Sequence, residues 1–262
     1  MTPAKTCCGT ISWTFQKRAL DDSPDWRRQV LSEVAEAGYE GVEMGGRLEN
    51  LGVDEVKRLL GEAGLKLVRI GSKLDLCEKL PLIKECGAEV NMVSAGQRGE
   101  VGLDGIPAGR FKEKAAELEE EAKISLEEFG IPTGLHNHLW TLAENRHEVD
   151  DILDAAPHLQ LILDTAHLQA GGGDPVKAIR DYGDRICHVH LKDAHTSIFG
   201  PNPLTPGFMP LGEGNLKIDI PGCVRALEAA GYDGWLGVEL DMTENPKEDN
   251  ARSRDFLRNL GY

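Results

Sequence analysis

The stretch LQLILDTAHLQAGGGDPVKAIRDYGDRICHVHLKD (159–193) contains two short apolar runs, LQLILD and RICHVH, and both run out into acid and imidazole groups. The same arrangement recurs outward along the chain, at LHNH (135–138) and at VEL (238–240). Water-seeking groups placed where an apolar run stops predict parallel strands whose ends converge on one polar site.

Further β-like runs lie at 8–13 (CGTISW), 39–44 (YEGVEM), 66–71 (KLVRIG), 89–94 (EVNMVS) and 132–137 (PTGLHN), with the last at 234–239 (GWLGVE). Between them lie amphipathic patterns such as DWRRQVLSEVAEAG, VDEVKRLLGEAG, RFKEKAAELEEEAKISLEEFG and HEVDDILDAA. Their apolar positions recur every three or four residues, as one buried helix face requires. Gly38, Gly64, Gly130 and Gly231 are placed to end helices in the left-handed conformation. Strands alternating with helices predict a parallel sheet wrapped by helices, and eight such units predict an α/β fold of the (β/α)8 TIM-barrel kind. No linker or composition shift divides residues 1–262, so a single catalytic domain is expected. EAGYEGVEM (36–44) echoes EAAGYDGWLGVEL (228–240), in keeping with a repeated unit. The longest irregular stretch, 193–216, follows the seventh run and is expected to lie over the catalytic face.

Side chains alternate along a strand, which sorts the polar candidates. Gly237 and Glu239 share one side against Leu236, Val238 and Leu240, and Gly41 and Glu43 oppose Val42 and Met44. Gly134, His136 and His138 fall together, as do His188, His190 and Lys192. Carboxylate and imidazole together are ligands for a divalent ion such as Mn²⁺, Co²⁺, Fe²⁺ or Zn²⁺. Each residue alone has a plainer reading. A strand-end Glu is commonly solvated or paired, and Asp164 suits the N-cap of a following helix as well as it suits a metal. PLGEGNL (210–216) lacks the strand-to-helix context of a phosphate loop, so Glu213 and its glycines read as a rim.

Lys and Arg total 29 against 44 Asp and Glu, a formal charge of −15. Such a chain has no general attraction for nucleic acid or anionic membranes. The six cysteines form no CxxC pair and read as reduced thiols of a cytoplasmic protein. The start, MTPAKTCCGTISW, has no signal-peptide core, and no run approaches the ~18 apolar residues of a membrane span. Homo-oligomerisation is left open.

The order of LHNHLW, LILDTAHLQAGGGDP, RICHVHLKD, MPLGEGNL and GYDGWLGVEL resembles the xylose-isomerase-like sugar isomerase and epimerase superfamily. Within it the chain looks most like inosose (2-keto-myo-inositol) dehydratases and related sugar-phosphate isomerase/epimerase proteins. The likeness spans nearly the whole chain, is strongest over 131–262, and includes VEMGG at 42–46.

The resemblance implies a metal set of Glu, Asp, His and Glu at the ends of strands five to eight. Asp164, His190 and Glu239 match the last three, and His136 stands where epimerases have Glu. That exchange removes one of the two carboxylates that shuttle a proton between faces of a sugar carbon. It favours dehydration of a keto-polyol beside its carbonyl, with ketose/aldose isomerisation or 3-epimerisation, or a non-catalytic sugar-binding barrel, as the alternatives. The implied catalytic groups are Glu239, His138, His167 and Lys192, and Glu43, Trp13, His167 and Glu213 are expected to touch a sugar or polyol substrate. Endonucleases for abasic DNA share the implied fold, and the charge of −15 argues against that activity.

Overall fold

The structure, a computed structural model, describes residues 5–16, 23–44, 51–71, 74–98, 108–199 and 207–262. The first elements are β1 (Lys5–Gly9), α1 (Ile11–Gln16), α2 (Pro24–Ala37), β2 (Gly41–Met44), α3 (Val53–Ala63), β3 (Lys66–Ile70) and α4 (Leu76–Glu85). The middle of the chain forms β4 (Asn91–Val93), α5 (Ala108–Phe129), β5 (Thr133–His136), α6 (Arg146–Ala155), β6 (Gln160–Asp164), α7 (Thr165–Ala170) and α8 (Pro175–Tyr182). Then come β7 (Ile186–Leu191), β8 (Asp193–Ala194), β9 (Phe208–Met209), α9 (Ile220–Ala229), β10 (Trp235–Val238) and α10 (Pro246–Asn259). Eight parallel strands follow one another in the sheet order β3-β2-β1-β10-β7-β6-β5-β4, and β8 pairs antiparallel with β9. Two compact units are formed, one by Met1–Glu89, His190–Ile220 and Gly234–Tyr262, the other by Val90–Val189 and Pro221–Asp233.

In the first unit β1 lies between β2 and β10, with Cys7 level with Gly41 on one side and Gly237 on the other. Cys7, Val68 and Trp235 form a buried cluster. A Cβ on Gly41 would stand 2.7 Å from Trp235 Cζ3, so this position must be empty for the indole to fit. Burying a side chain of this kind stabilises by about 1.5–3 kcal/mol. Helix α2 starts where Ser23 Oγ accepts the Trp26 N–H at 3.3 Å and Pro24 takes the first turn. It buries Val30, Leu31 and Val34 and ends at Gly38, whose φ of 88° is left-handed.

In the second unit β5 pairs with β4 and β6, and Gly134 plays the part that Gly41 plays in the first. A Cβ there would lie 2.4 Å from Ile162 Cγ1 and 2.7 Å from Cys187 Sγ. Helix α6 opens with a full capping box between Asn145 and Glu148. Gly64, Gly130 and Gly231 also carry the positive φ expected of helix ends.

The sequence expectations needed two corrections. The first strand is Lys5–Gly9, and Ile-Ser-Trp of the expected 8–13 run is helical. β-branched and aromatic content made ISW look extended, but the backbone turns at Thr10, whose N–H donates to Glu43 O at 3.0 Å. The 193–216 stretch is not wholly irregular either, since it contains the β8–β9 hairpin and a 3-10 turn at Thr196–Phe199. Residues 200–206 of that stretch lie outside the described residues, as do Gly45 and Gly46 of VEMGG. Among the described residues, no helix is long and apolar enough to cross a membrane.

Candidate metal and acid–base site

The sheet order makes β5, β6, β7 and β10 successive neighbours. His136 is the last residue of β5, Asp164 the last of β6, His190 the penultimate residue of β7, and Glu239 directly follows β10. All are buried.

In the first unit the polar network centres on His190, which has no exposure. Its Nδ1 is 2.8 Å from Glu239 Oε2 and its Nε2 is 3.1 Å from Glu43 Oε2. Burial alone would lower the His190 pKa, but the charges of Glu239 and Glu43 raise it to about 10. Arg69 Nε donates to Glu43 Oε2 at 2.7 Å. Lys192, only 1 % exposed, places Nζ 3.0 Å from both Glu239 Oε2 and Asp241 Oδ1, and 4.7 Å from the centre of the Phe208 ring. A lysine so deep remains charged only with such partners. Glu239 N–H donates to Leu191 O at 3.3 Å, which fixes the carboxylate where the β10–β7 ladder ends.

The second unit assembles His136, His138, Asp164 and His167. Asp164 is the N-cap of α7, its Oδ1 accepting the His167 N–H at 2.9 Å, while Oδ2 lies 3.5 Å from His136 Nε2. Asn137 locks the two strand ends together. Its Oδ1 accepts the Asp164 N–H at 2.8 Å and its Nδ2 donates to Asp164 O at 3.1 Å. His138 Nδ1 is 2.7 Å from Leu139 O, a contact that fixes the proton on Nδ1 in the neutral ring and leaves Nε2 as an acceptor. The His138 and His167 rings stack with centroids 3.7 Å apart.

Three of the residues expected to touch substrate have protein partners in the structure. Glu43 is held by Arg69 and His190 inside the first unit. Trp13 is 6 % exposed, and its indole N–H donates to Glu33 Oε2 at 2.7 Å beside a cleft of about 320 Å³ lined also by Trp26, Asn245 and Lys247. The Glu213 carboxylate is drawn to Arg252 on α10, at 2.8 and 3.2 Å. His167 is wholly buried, and the half-buried His138 ring lies against it.

Three residues were missed. Asn137 alternates to the side opposite the histidines that flank it, and Asp241 lies beyond the run that drew attention to Glu239. Trp140 is 51 % exposed and adopts a left-handed φ of 65°. For a residue with a bulky side chain this costs about 1–2 kcal/mol. Its carbonyl accepts the Arg98 N–H at 2.7 Å and its N–H donates to Glu144 Oε2 at 2.6 Å.

Residues 31–260 match the family described as xylose isomerase-like TIM barrel. The rhizopine catabolism protein MocC of Rhizobium meliloti is 28 % identical over 278 residues, covering 92 % of this chain and 82 % of that protein. An inosose dehydratase of Bacillus velezensis is 28 % identical over 271 residues, covering 88 % and 87 %. A crystal structure of IolI protein with a bound zinc atom superposes with a TM-score of 0.74 at 16 % identity, covering 98 % of this chain and 97 % of that one. The (β/α)8 expectation is borne out.

Proposed function

We propose that this chain, which belongs to the xylose isomerase-like TIM barrel family, is a divalent-metal lyase that dehydrates a cyclic keto-polyol beside its carbonyl. The observation that carries this reading is the imidazole of His136 at the end of β5, where a two-base epimerase needs a carboxylate. The names of the inosose dehydratase relatives support it.

His136, Asp164, His190 and Glu239 would hold the ion. Two imidazoles and two carboxylates, all buried at the ends of neighbouring strands, are a donor set that Mn²⁺, Co²⁺, Fe²⁺ and Zn²⁺ accept. Bound there, a divalent cation supplies Lewis acidity that polarises a substrate carbonyl and acidifies the adjacent C–H.

The chain's own groups account for the proton traffic. Glu239 takes the proton from the carbon beside the carbonyl, and the C–H electron pair forms the new double bond. The neighbouring C–O bond breaks as Lys192 gives its proton to the departing hydroxyl, which leaves as water. Both groups are already in contact at 3.0 Å, so the proton can return from Glu239 to Lys192 between turnovers. Glu43, paired with His190 and Arg69, orients the imidazole. His138, with Nε2 free of the Leu139 contact, is the group on the second unit suited to a substrate hydroxyl.

The test is metal analysis of the purified protein followed by turnover assays on 2-keto-myo-inositol and on a ketohexose panel. A near-ultraviolet dione product from the keto-inositol is expected. Rapid C3 epimerisation of fructose or tagatose with no dehydration would replace this reading with an epimerase.

A further inference from the structure

Trp140 is the most exposed tryptophan-sized feature of the described polar strand ends, and it stands in a conformation its side chain disfavours. It is the third residue of a turn closed by the Thr141 N–H on His138 O at 3.3 Å, with Thr141 Oγ1 donating to the same oxygen at 2.7 Å. Positive φ at such a position suits glycine or asparagine. Here the surroundings impose it from two sides. Arg98 N–H and Glu144 Oε2 tie down the backbone of Trp140, Gln97 bridges Thr141, and Leu142 N–H donates to Gly96 O at 3.0 Å. Arg98 is itself paired with Glu144 at 3.5 Å and Glu148 at 2.5 Å.

This bracing does not bury the indole, which stays 51 % exposed, so packing of the ring is not what the strain secures. What it secures is position. The Trp140 ring centre lies 6.3 Å from that of His138, and His138 stacks on His167 at 3.7 Å. A row of rings therefore leads from an exposed indole to the buried end of β6. Strain held by an over-determined backbone is found at ligand clamps more than elsewhere. A lone exposed ring is also too small to serve as a protein-docking patch.

We infer that Trp140 is the platform on which the C–H face of a cyclic polyol or pyranose rests, with its hydroxyl edge turned to His138 Nε2. The face of an indole is electronegative and the C–H groups on one face of a polyol ring carry partial positive charge, so the two surfaces attract. Arg98 and Glu144 are positioning residues that act through the Trp140 backbone. The inference rests on the polyol reading of the site, but not on the reaction proposed for it.

The test uses the full chain with Mn²⁺ present and myo-inositol, which cannot be dehydrated by this route, as the probe. Tryptophan emission and calorimetric Kd are compared for wild type, Trp140→Phe and Trp140→Asn, with thermal melts alongside. Wild type should bind with a change in emission. Trp140→Phe should bind within about threefold of wild type, while most of the emission change disappears. Trp140→Asn should bind at least tenfold more weakly, and its Tm should be no lower, because asparagine accepts the left-handed backbone. Unaltered Kd in Trp140→Asn overturns the inference, as does absence of myo-inositol binding to wild type, as does a change in oligomeric state with Kd intact. Binding through Trp140 without any dehydration of the keto-inositol would overturn only the proposed reaction.

Discussion

Lys192 Nζ lies 3.0 Å from Asp241 Oδ1, and both side chains are buried within one unit. Together with Glu239 they form a cation held between two carboxylates. Breaking such a buried pair costs about 3–5 kcal/mol, because the partner's charge is left without compensation. Lys192→Met is expected to destabilise by that amount in urea melts and to lower turnover by about 10²–10⁴-fold, the range of a lost general acid. Asp241→Asn keeps an oxygen acceptor and should cost less in stability. A Lys192→Met protein as active as wild type would remove lysine from the mechanism.

His167 separates ligand from support. Its contact with Asp164 runs through its backbone N–H, which alanine retains. His167→Ala should therefore keep wild-type metal content while turnover falls, because His138 loses the ring it stacks against. Asn137→Ala removes the side-chain lock between β5 and β6 and should weaken metal affinity by about 10–100-fold. Metal analysis after dialysis against graded chelator distinguishes the two outcomes.

The thiols give a check on packing that is independent of chemistry at the site. All six cysteines are free; Cys77 is exposed, and Cys7, Cys8, Cys86 and Cys223 are buried. Burial raises the Cys86 thiol to about 11 and the Cys187 thiol to about 12, and pushes Cys7 and Cys8 well above the usual range. Thiolate is the reactive form. Iodoacetamide at pH 8 should modify Cys77 first in the folded protein and all six after denaturation, as read by intact mass.

The strand ends were legible because local rules agree there. Alternation puts Glu43 with Gly41 and His136 with Gly134, and those glycines leave room for Trp235 and Ile162, which reach across from other strands of the same units. What alternation cannot supply is the identity of a partner far along the chain. Nothing local announces that Glu213 answers Arg252, that Trp13 answers Glu33, or that Asp241 answers Lys192. Trp140 was hidden for a different reason. A tryptophan beside LHNH reads as apolar filling, and its left-handed backbone is imposed by Arg98 and Glu144 from outside the turn.

The last prediction concerns the rim. Asp193, directly after Lys192, gathers three backbone donors: Ala194 N–H at 2.8 Å, Gly212 N–H at 2.9 Å and Gly214 N–H at 3.1 Å. This clamp ties the GEG turn to the β8–β9 hairpin, and β9 carries the Phe208 ring that lies against the Lys192 ammonium. A Cβ on Gly214 would stand 2.1 Å from Asp193 Oδ1 and 2.4 Å from Ala194 O, so Gly214→Ala must open the clamp. Hydrogen bonds to a charged group contribute roughly 1.5–3 kcal/mol each, and partial solvation of the freed N–H groups recovers some of that. Asp193→Ala and Gly214→Ala are each expected to destabilise by about 2–4 kcal/mol. Because both release the same set of bonds, the double variant should fall well short of the sum, with a coupling of about 1–3 kcal/mol. Strictly additive losses in denaturant melts would show that Asp193 and Gly214 act separately and that the rim is not held by one carboxylate.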